Sequence, residues 1–599
     1  MAETISPSPE QNAASLKGGA FLFTPSAARP FITPERFTDD QRQFFRTGNE
    51  FATKDVLPLV PRLEKKEHAL LRELLAKAGE LGLLGVDISE ELGGLGLDKV
   101  TSMLVAESQG INGSWATTFG AHTGIGSLPL VFFGTPEQKA KYLPDLASGK
   151  RVAAYALSEA GSGSDALGAK TTARLSEDGQ HYVVNGSKMW ITNGGFADVF
   201  TVFLKVDGKR FTALLVERGT PGFTAGREEH KLGLHGSSTT PLIFEECKIP
   251  VGNVLGEIGK GHKIAFNILN VGRLKLAAFA IGGCKWSIKV ATQYALERKQ
   301  FGKAIAEFGL VREKLARAAA QTYALESMTY RAAGLIDDAI ARLDKADPHY
   351  ELGVMNAIEE YAIEASIMKV AGSEWMFQTI DETLQIHGGN GYVADYPIEM
   401  AYRDNRVNRI FEGTNEINRM LIPGVIFKRV MKGELPLLQA AQDIDAEIAD
   451  PRLIPEPVGR LATERHGLEL AKRQFVFAAR AAAMLGPELE QRQEALAALA
   501  DVAIEVYAMD SALGRTLAAP QDAKAPLREA LCRFYCMESR ERAFDRARTA
   551  LCAVAPAEAL EGMLDQLARL HRYTPVNPAE AREAVVPAIL EAGGYPLQY

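Results

Sequence analysis

The sequence predicts a multi-domain α + β protein in which helical segments flank a central β region. Three observations predict it: helical apolar periodicity before residue 150, a change near Val152 to short alternating runs, and a return of long amphipathic patterns after Gly261. A chain of 599 residues also exceeds what one ordinary core serves, so several domains are expected.

Residues 1–37 read as a flexible N-terminal tail. Met1 to about Gly19 is rich in Ser, Pro, Gln and Ala, lacks an apolar signal core, and carries Glu3 and Glu10 but no arginine. Neither a secretory nor a mitochondrial signal is supported, so a cytoplasmic location is expected over the mitochondrial matrix. Residues 38–150 form the N-terminal helical domain. Asp40–Thr53 and His68–Leu84 place apolar residues at i, i+3, i+4, with Gly82 and Gly93-Gly94 as stops. Residues 151–261 form the middle β domain, where His181–Val184, Val199–Lys205 and Thr212–Val216 alternate between Gly, Asp and Asn turns.

Residues 262–434 return to helices: Lys263–Arg298, Val311–Leu343, Ala357–Ile386 and Asn415–Gly433 are amphipathic. The Pro- and acid-rich stretch 435–457 reads as a linker. Residues 458–599 are an additional C-terminal helical domain, with Arg460–Leu485, Glu488–Ala518 and Ala525–Val554 as its patterns.

The net charge of −8 argues against nucleic acid as a main partner. No stretch reaches the ~20 uninterrupted apolar residues of a membrane span, so no transmembrane segment is expected. Of five cysteines only Cys532 and Cys536 are close, without histidine partners; buried reduced thiols are expected, and no metal site.

Four segments carry candidate chemistry. Tyr155-Ala156-Leu157-Ser158-Glu159-Ala160-Gly161-Ser162-Gly163-Ser164-Asp165 runs from strand into Gly and Ser, where backbone N–H groups and hydroxyls can meet an anion or a flat ring edge. A tight hairpin connection would read the same. Lys188 to Gly195 closes a strand: Trp190 offers a flat face and Thr192 a hydroxyl, although a lone strand tryptophan is more often core. Gln385-Ile386-His387-Gly388-Gly389 follows a long helix and permits close backbone approach, or merely caps that helix. Arg409-Ile410-Phe411-Glu412-Gly413-Thr414-Asn415-Glu416 precedes an amphipathic helix. Glu412 between Phe411 and Gly413 is off any solvated face, which favours a raised pKa and a general base; the bland alternative is a dipole-stabilised acid with Thr414 as cap.

In this order and spacing the four segments resemble the acyl-CoA dehydrogenase family over residues 40–430, closest to its very-long-chain branch. Ile268 to Arg273, Phe301-Gly302 with Phe308-Gly309-Leu310, and the extension beyond residue 440 carry that finer likeness. The resemblance implies an N-terminal helical domain, a middle β-barrel-like domain, a C-terminal four-helix bundle and an extra helical domain, in a homodimer. It implies FAD contacts at Tyr155, Leu157, Ser158, Gly163, Ser164, Trp190, Ile191 and Thr192. Further FAD contacts are implied from a neighbouring subunit at Arg298, Phe301, Gln385, Ile386, His387, Gly388 and Gly389, and others at Thr414 and Glu416. Acyl-CoA contacts are implied at Ser164, Asn270, Arg273, Phe411 and Gly413. Gln300 and Phe411 depart from residues common in short- and medium-chain relatives, and Gly424 stands where some relatives have an arginine towards CoA, so it is assigned no role.

The implied reaction is α,β-dehydrogenation of a fatty acyl-CoA, of long chain, to the trans-2-enoyl-CoA of fatty-acid β-oxidation. Glu412 takes the α-proton, the flavin takes the β-hydride, and an electron-transfer flavoprotein is the acceptor. An acyl-CoA oxidase, or a non-catalytic assembly paralogue on the same fold, are the alternatives. Gly120 to Gly126 is expected to border the acyl slot, where Gly120 and Gly124 either leave room for a long tail or permit close helix packing. His122 is read as a packing or hydrogen-bonding residue.

Overall fold

The computed structural model describes residues 16–24, 31–454 and 456–599. Helices α1 (Asp39–Phe51), α2 (Ala69–Glu80), α3 (Lys99–Gln109), α4 (Gly113–Gly120) and α5 (Pro136–Ala147) make the N-terminal layer. Their starts are chemically marked. Thr38 and Gln41 form a capping box, and Asp98 and Asn112 accept from the N–H groups of Thr101 and Trp115.

Eight strands follow: β1 (Ala153–Ala156), β2 (Thr172–Leu175), β3 (His181–Thr192), β4 (Val199–Val206), β5 (Arg210–Glu217), β6 (Phe223–Ala225), β7 (Thr239–Pro250) and β8 (Val254–Leu255). Their order is β6-β7-β3-β2-β4-β5-β8, with β1 parallel to β4. One apolar cluster joins α2 and α4 to this sheet through Leu71, Leu75, Phe119, Phe200 and Leu214. The β3–β7 register shifts between Lys188 and Ile191, and that bulge re-aims Trp190.

The bundle comprises α6 (Gly261–Glu297), α7 (Gly309–Ile340), α8 (Ala362–His387), α9 (Pro397–Asn405) and α10 (Asn415–Met431). A window of α6 has the length and mean hydropathy of a membrane span, 1.4, which the sequence reading did not anticipate; 72% of that window is buried inside the protein. It is the central helix of the bundle, packed on α3, α7 and α8.

Two expectations are corrected. The stretch 435–457 is not an unstructured linker, because α11 (Leu437–Ala449) occupies most of it. Leu437, Ile444 and Ile448 are buried on one face, while Asp445 and Glu447 pair with Arg480 and Arg473 of α12 (Ala462–Ala483). The expected tail 1–37 is fixed wherever it is described: Phe21 and Leu22 are buried, and Gly19 N–H donates to Glu364 at 2.7 Å. Residues 1–15 and 25–30 of that tail lie outside the described residues.

Helices α13 (Gln493–Ala518) and α14 (Ala525–Val554) complete the added C-terminal domain. It shares one continuous apolar core with the bundle, in which Leu325 and Met328 join Leu513 and Phe534. Buried Arg331–Asp510 (2.7 Å) and Arg515–Glu326 (2.8 Å) pairs fix the register of that contact. Four cysteines are buried, and Cys552, expected buried, is exposed on α14.

Candidate active site

Glu412 sits in the turn that leads into α10. Its φ is +59°, and that of Gly413 is +76°. Two successive left-handed residues, one of them glutamate, need external support. Lys369 Nζ donates to Gly413 O at 2.8 Å, and Asn418 Nδ2 donates to Gly413 O and Thr414 O at 2.9 and 3.0 Å. Arg273 Nε donates to Glu412 O at 3.3 Å and its Nη1 to Asn270 Oδ1 at 2.9 Å. Thr414 accepts from Ile417 N–H, so its hydroxyl caps α10.

This scaffold turns the Glu412 side chain onto Gly272 of α6. A Cβ there would come 2.7 Å from Glu412 Cδ and closer still to Oε2. Although the residue as a whole is half-buried, Oε2 is enclosed and has no hydrogen-bond partner among the described residues. Burial pushes the carboxyl up to about 7, against the downward pull of Arg273 and Lys369. Burial draws Lys369 down to about 7 and Arg273 to about 10, with Glu412 opposing both shifts.

The carboxyl opens on an apolar cavity of about 1030 Å³, counting its open mouth. Gly272, Lys275, Leu276, Phe279, Gly283 and Trp286 line it, which is one face of α6. At 1.5 Å rise per residue that face runs for roughly 21 Å. Gly120 and Gly124 lie on the facing wall, with Phe411 and Thr192 also on the lining. A Cβ on Gly120 would meet the Phe279 ring at 2.8 Å, so this glycine also permits close packing; one on Gly124 would meet Lys275 Cδ at 3.4 Å. His122 donates from Nε2 to Leu146 O (3.0 Å) and accepts at Nδ1 from Ala153 N–H (3.1 Å). Burial lowers its pKa to about 4, so it is a neutral structural residue.

Tyr155 and Leu157 are buried, and Tyr155 Oη donates to Ala265 O at 3.2 Å. Burial and the charge of Glu412 both raise the Tyr155 hydroxyl. Ser158 O accepts from Met189 N–H at 2.9 Å, and Ile191 is buried, which leaves its backbone as the part a ligand could meet. Gly163 and Ser164 are exposed, and a Cβ on Gly163 would touch nothing. The buried Glu159 secures this loop by accepting from Lys170 N–H (2.6 Å), Thr171 N–H (3.1 Å) and Lys188 Nζ (2.7 Å). Trp190 is 57% exposed with φ +59°, so it is not a core tryptophan.

A second group is not brought to this cavity. Arg298 leads into a hairpin, Lys299–Gln300 with Lys303–Ala304, whose tip residue Phe301 is 93% exposed. Gln385, Gly388 and Gly389 are exposed, whereas Ile386 and His387 are buried. The His387 ring stacks on Tyr294 at 4.0 Å, and Tyr294 Oη donates to His387 O at 3.2 Å. That stack ties the ends of α6 and α8 together, so both segments share one end of the bundle. Glu416 is exposed in the first turn of α10.

Sequence reading missed Lys369 and Asn418. A lone lysine inside the apolar run Ala365 to Ala371 was the signal for the first; Asn418, one turn past the cap, gave none.

Comparison with known proteins places this geometry. Three models described as acyl-CoA dehydrogenase N-terminal, middle and C-terminal domains match residues 38–150, 154–247 and 259–426. A further acyl-CoA dehydrogenase C-terminal domain model matches residues 469–569. The chain is 46% identical to a "Probable acyl-CoA dehydrogenase" of Bacillus subtilis (strain 168), over 97% of this chain and 98% of that one. It is 35% identical to the human mitochondrial very long-chain specific acyl-CoA dehydrogenase, over 84% of this chain and 77% of that one. A crystal structure of an acyl-CoA dehydrogenase complexed with FAD from Bacillus anthracis superposes with a TM-score of 0.94 at 46% identity, covering 97% of this chain and all of that one. The chain belongs to the acyl-CoA dehydrogenase family.

Proposed function

We propose that the protein dehydrogenates long-chain acyl-CoA thioesters between Cα and Cβ, with FAD as cofactor, an electron-transfer flavoprotein as acceptor and Glu412 as the base. The observation that carries the reading is the unpartnered Glu412 carboxyl oxygen, enclosed at one end of a deep apolar cavity.

The residues present fit the cofactor. Exposed Trp190 offers a flat face beside Thr192 at the cavity, and the loop through Gly161 and Gly163 has open approaches where a side chain would meet nothing. Tyr155, Leu157, Ser158, Gly163, Ser164 and Ile191 complete that set, with Thr414 and Glu416 beyond the base. Arg298, Phe301, and Gln385 to Gly389 are not among the residues that line this cavity and suit the cofactor of a second copy, which supports a homodimer. When bound, FAD supplies the acceptor for the β-hydrogen.

The chain's own groups do the rest. Glu412 at about 7 is matched to neutral solution, where a useful fraction is ionised and still basic. Its backbone N–H is proposed as a donor to the thioester oxygen, where enolate charge develops. Arg273, bonded to both Glu412 O and Asn270, holds the base over the substrate. Asn270, Ser164, Phe411 and Gly413 are proposed at the thioester end.

The 21 Å face of α6 supports the long-chain reading. At roughly 1.3 Å advance per C–C bond of about 1.5 Å, it accommodates a chain of about sixteen carbons. Each buried CH₂ contributes ~0.8 kcal/mol, so lengthening the tail by four carbons is worth about 3 kcal/mol at most. Anaerobic titration with acyl-CoAs of graded length tests the proposal. Flavin bleaching should strengthen up to about sixteen carbons; bleaching by none of them, or equally by four and sixteen carbons, contradicts it.

A further inference from the structure

The cavity is apolar along α6 but not all round. Where α9 passes into the 3₁₀ turn Arg406–Arg409, Asp404, Asn405 and Asn408 line it. Asp404 is 3% and Asn405 2% exposed. Asp404 Oδ1 accepts from Leu234 N–H, and Asn405 Oδ1 accepts from Asn408 Nδ2 at 2.5 Å. The other halves of both groups, Asp404 Oδ2 and Asn405 Nδ2, have no partner among the described residues. Two adjacent half-satisfied polar groups in the wall of a greasy slot are unfavourable against a saturated tail, which offers neither donor nor acceptor.

The wall lies far from the reacting carbons. Asn408 Nδ2 is 4.0 Å from Met376 Sδ, and a Cβ on Gly283 would run into Met376 Cε. Asn408, and Asn405 bonded to it, therefore lie near Gly283, roughly 16 Å along α6 from Gly272 at 1.5 Å per residue. That is about a dozen C–C bonds along an extended chain.

A hydroxyl oxygen donates one hydrogen bond and accepts others, so it can accept from the unpartnered amide or donate to the unpartnered carboxyl oxygen. We propose that Asp404 and Asn405 form a recognition subsite for a hydroxyl on the distal acyl chain, making hydroxylated long-chain acyl thioesters a substrate class of this site. The inference rests on the function proposed above and narrows its substrate. Burial also raises Asp404 to about 7, which keeps part of the population protonated and able to donate.

The test is calorimetric binding of stearoyl-CoA and its monohydroxy isomers, with the hydroxyl at carbons 5 to 17, to the FAD-loaded protein. Isomers hydroxylated around carbons 12 to 16 should bind at least as tightly as stearoyl-CoA. Those hydroxylated at carbons 5 to 8 should bind about tenfold or more weakly, because their hydroxyl meets only apolar wall. In Asn405→Leu the ratio of distal-hydroxy to plain affinity, read on one preparation, should fall about tenfold. If that variant does not fold, the wild-type series decides alone. Distal isomers binding as weakly as proximal ones would overturn the subsite. Failure of every chain to bleach the flavin would instead refute the dehydrogenase reading, with the binding pattern still deciding the subsite.

Discussion

Gly272→Ala isolates the placement of the base from the stability of the fold. The new methyl would stand 2.7 Å from Glu412 Cδ, where 3.4 Å is ordinary contact, and it would be nearer still to Oε2. The carboxyl is the flexible partner, and it must retreat by roughly an ångström. Misplacement on that scale costs on the order of 10²-fold in rate, or about 2.7 kcal/mol of barrier at 1.36 per tenfold. The fold should tolerate the change, because alanine gains about 1 kcal/mol over glycine inside a helix. The assay is steady-state kcat with a long acyl-CoA, alongside flavin content and thermal melting. We expect a kcat near one hundredth of wild type, with bound flavin and melting temperature close to normal. Glu412→Asp, one methylene shorter, should recover part of the loss in the Gly272→Ala background. A kcat within threefold of wild type would refute the placement of the carboxyl against Gly272.

Other outcomes follow from the same geometry. The base must be ionised, so log kcat/KM should rise with unit slope below about pH 7 and level off above it. Lys369→Met removes a cation that pulls the Glu412 pKa down, so the midpoint of that profile should move to higher pH, and a downward shift would contradict the pairing. Gly124→Leu adds bulk where the wall has space, and should shorten the preferred chain; parallel changes in palmitoyl and octanoyl rates would speak against a slot there. Phe301→Asp places a charge on a 93% exposed aromatic at the proposed subunit contact, and sedimentation should then show monomer with reduced flavin retention.

Much of the fold was legible. The pattern over Lys263–Arg298 became α6, Gly261–Glu297, because a central helix keeps its period through its whole length. Leu437, Ile444 and Ile448 carry the same spacing, but proline and acid content masked it and the segment read as a linker. The pattern Ala357–Ile386 conceals a break at Tyr361, where Tyr350–Glu360 ends and α8 begins, since both helices keep apolar faces on one core. In the site, Phe411 and Gly413 betrayed Glu412 as an acid off the solvated surface. Its seat was invisible, because Gly272 meets it only through tertiary packing across about 140 residues of sequence. Trp190 was open to a core reading because a lone strand tryptophan is commonly core, and the bulge between Lys188 and Ile191, which re-aims it, was not legible in the sequence. Asn405 carried no signal in the sequence, and only the fold brings it to the cavity lining.

The most direct measurement of the central claim is hydrogen exchange at the α-carbon of a bound long-chain acyl-CoA in deuterated buffer, followed by mass spectrometry. Wild type should label that carbon, and flavin-loaded Glu412→Gln should leave it unlabelled. Equal labelling by the two proteins would show that another group takes the proton.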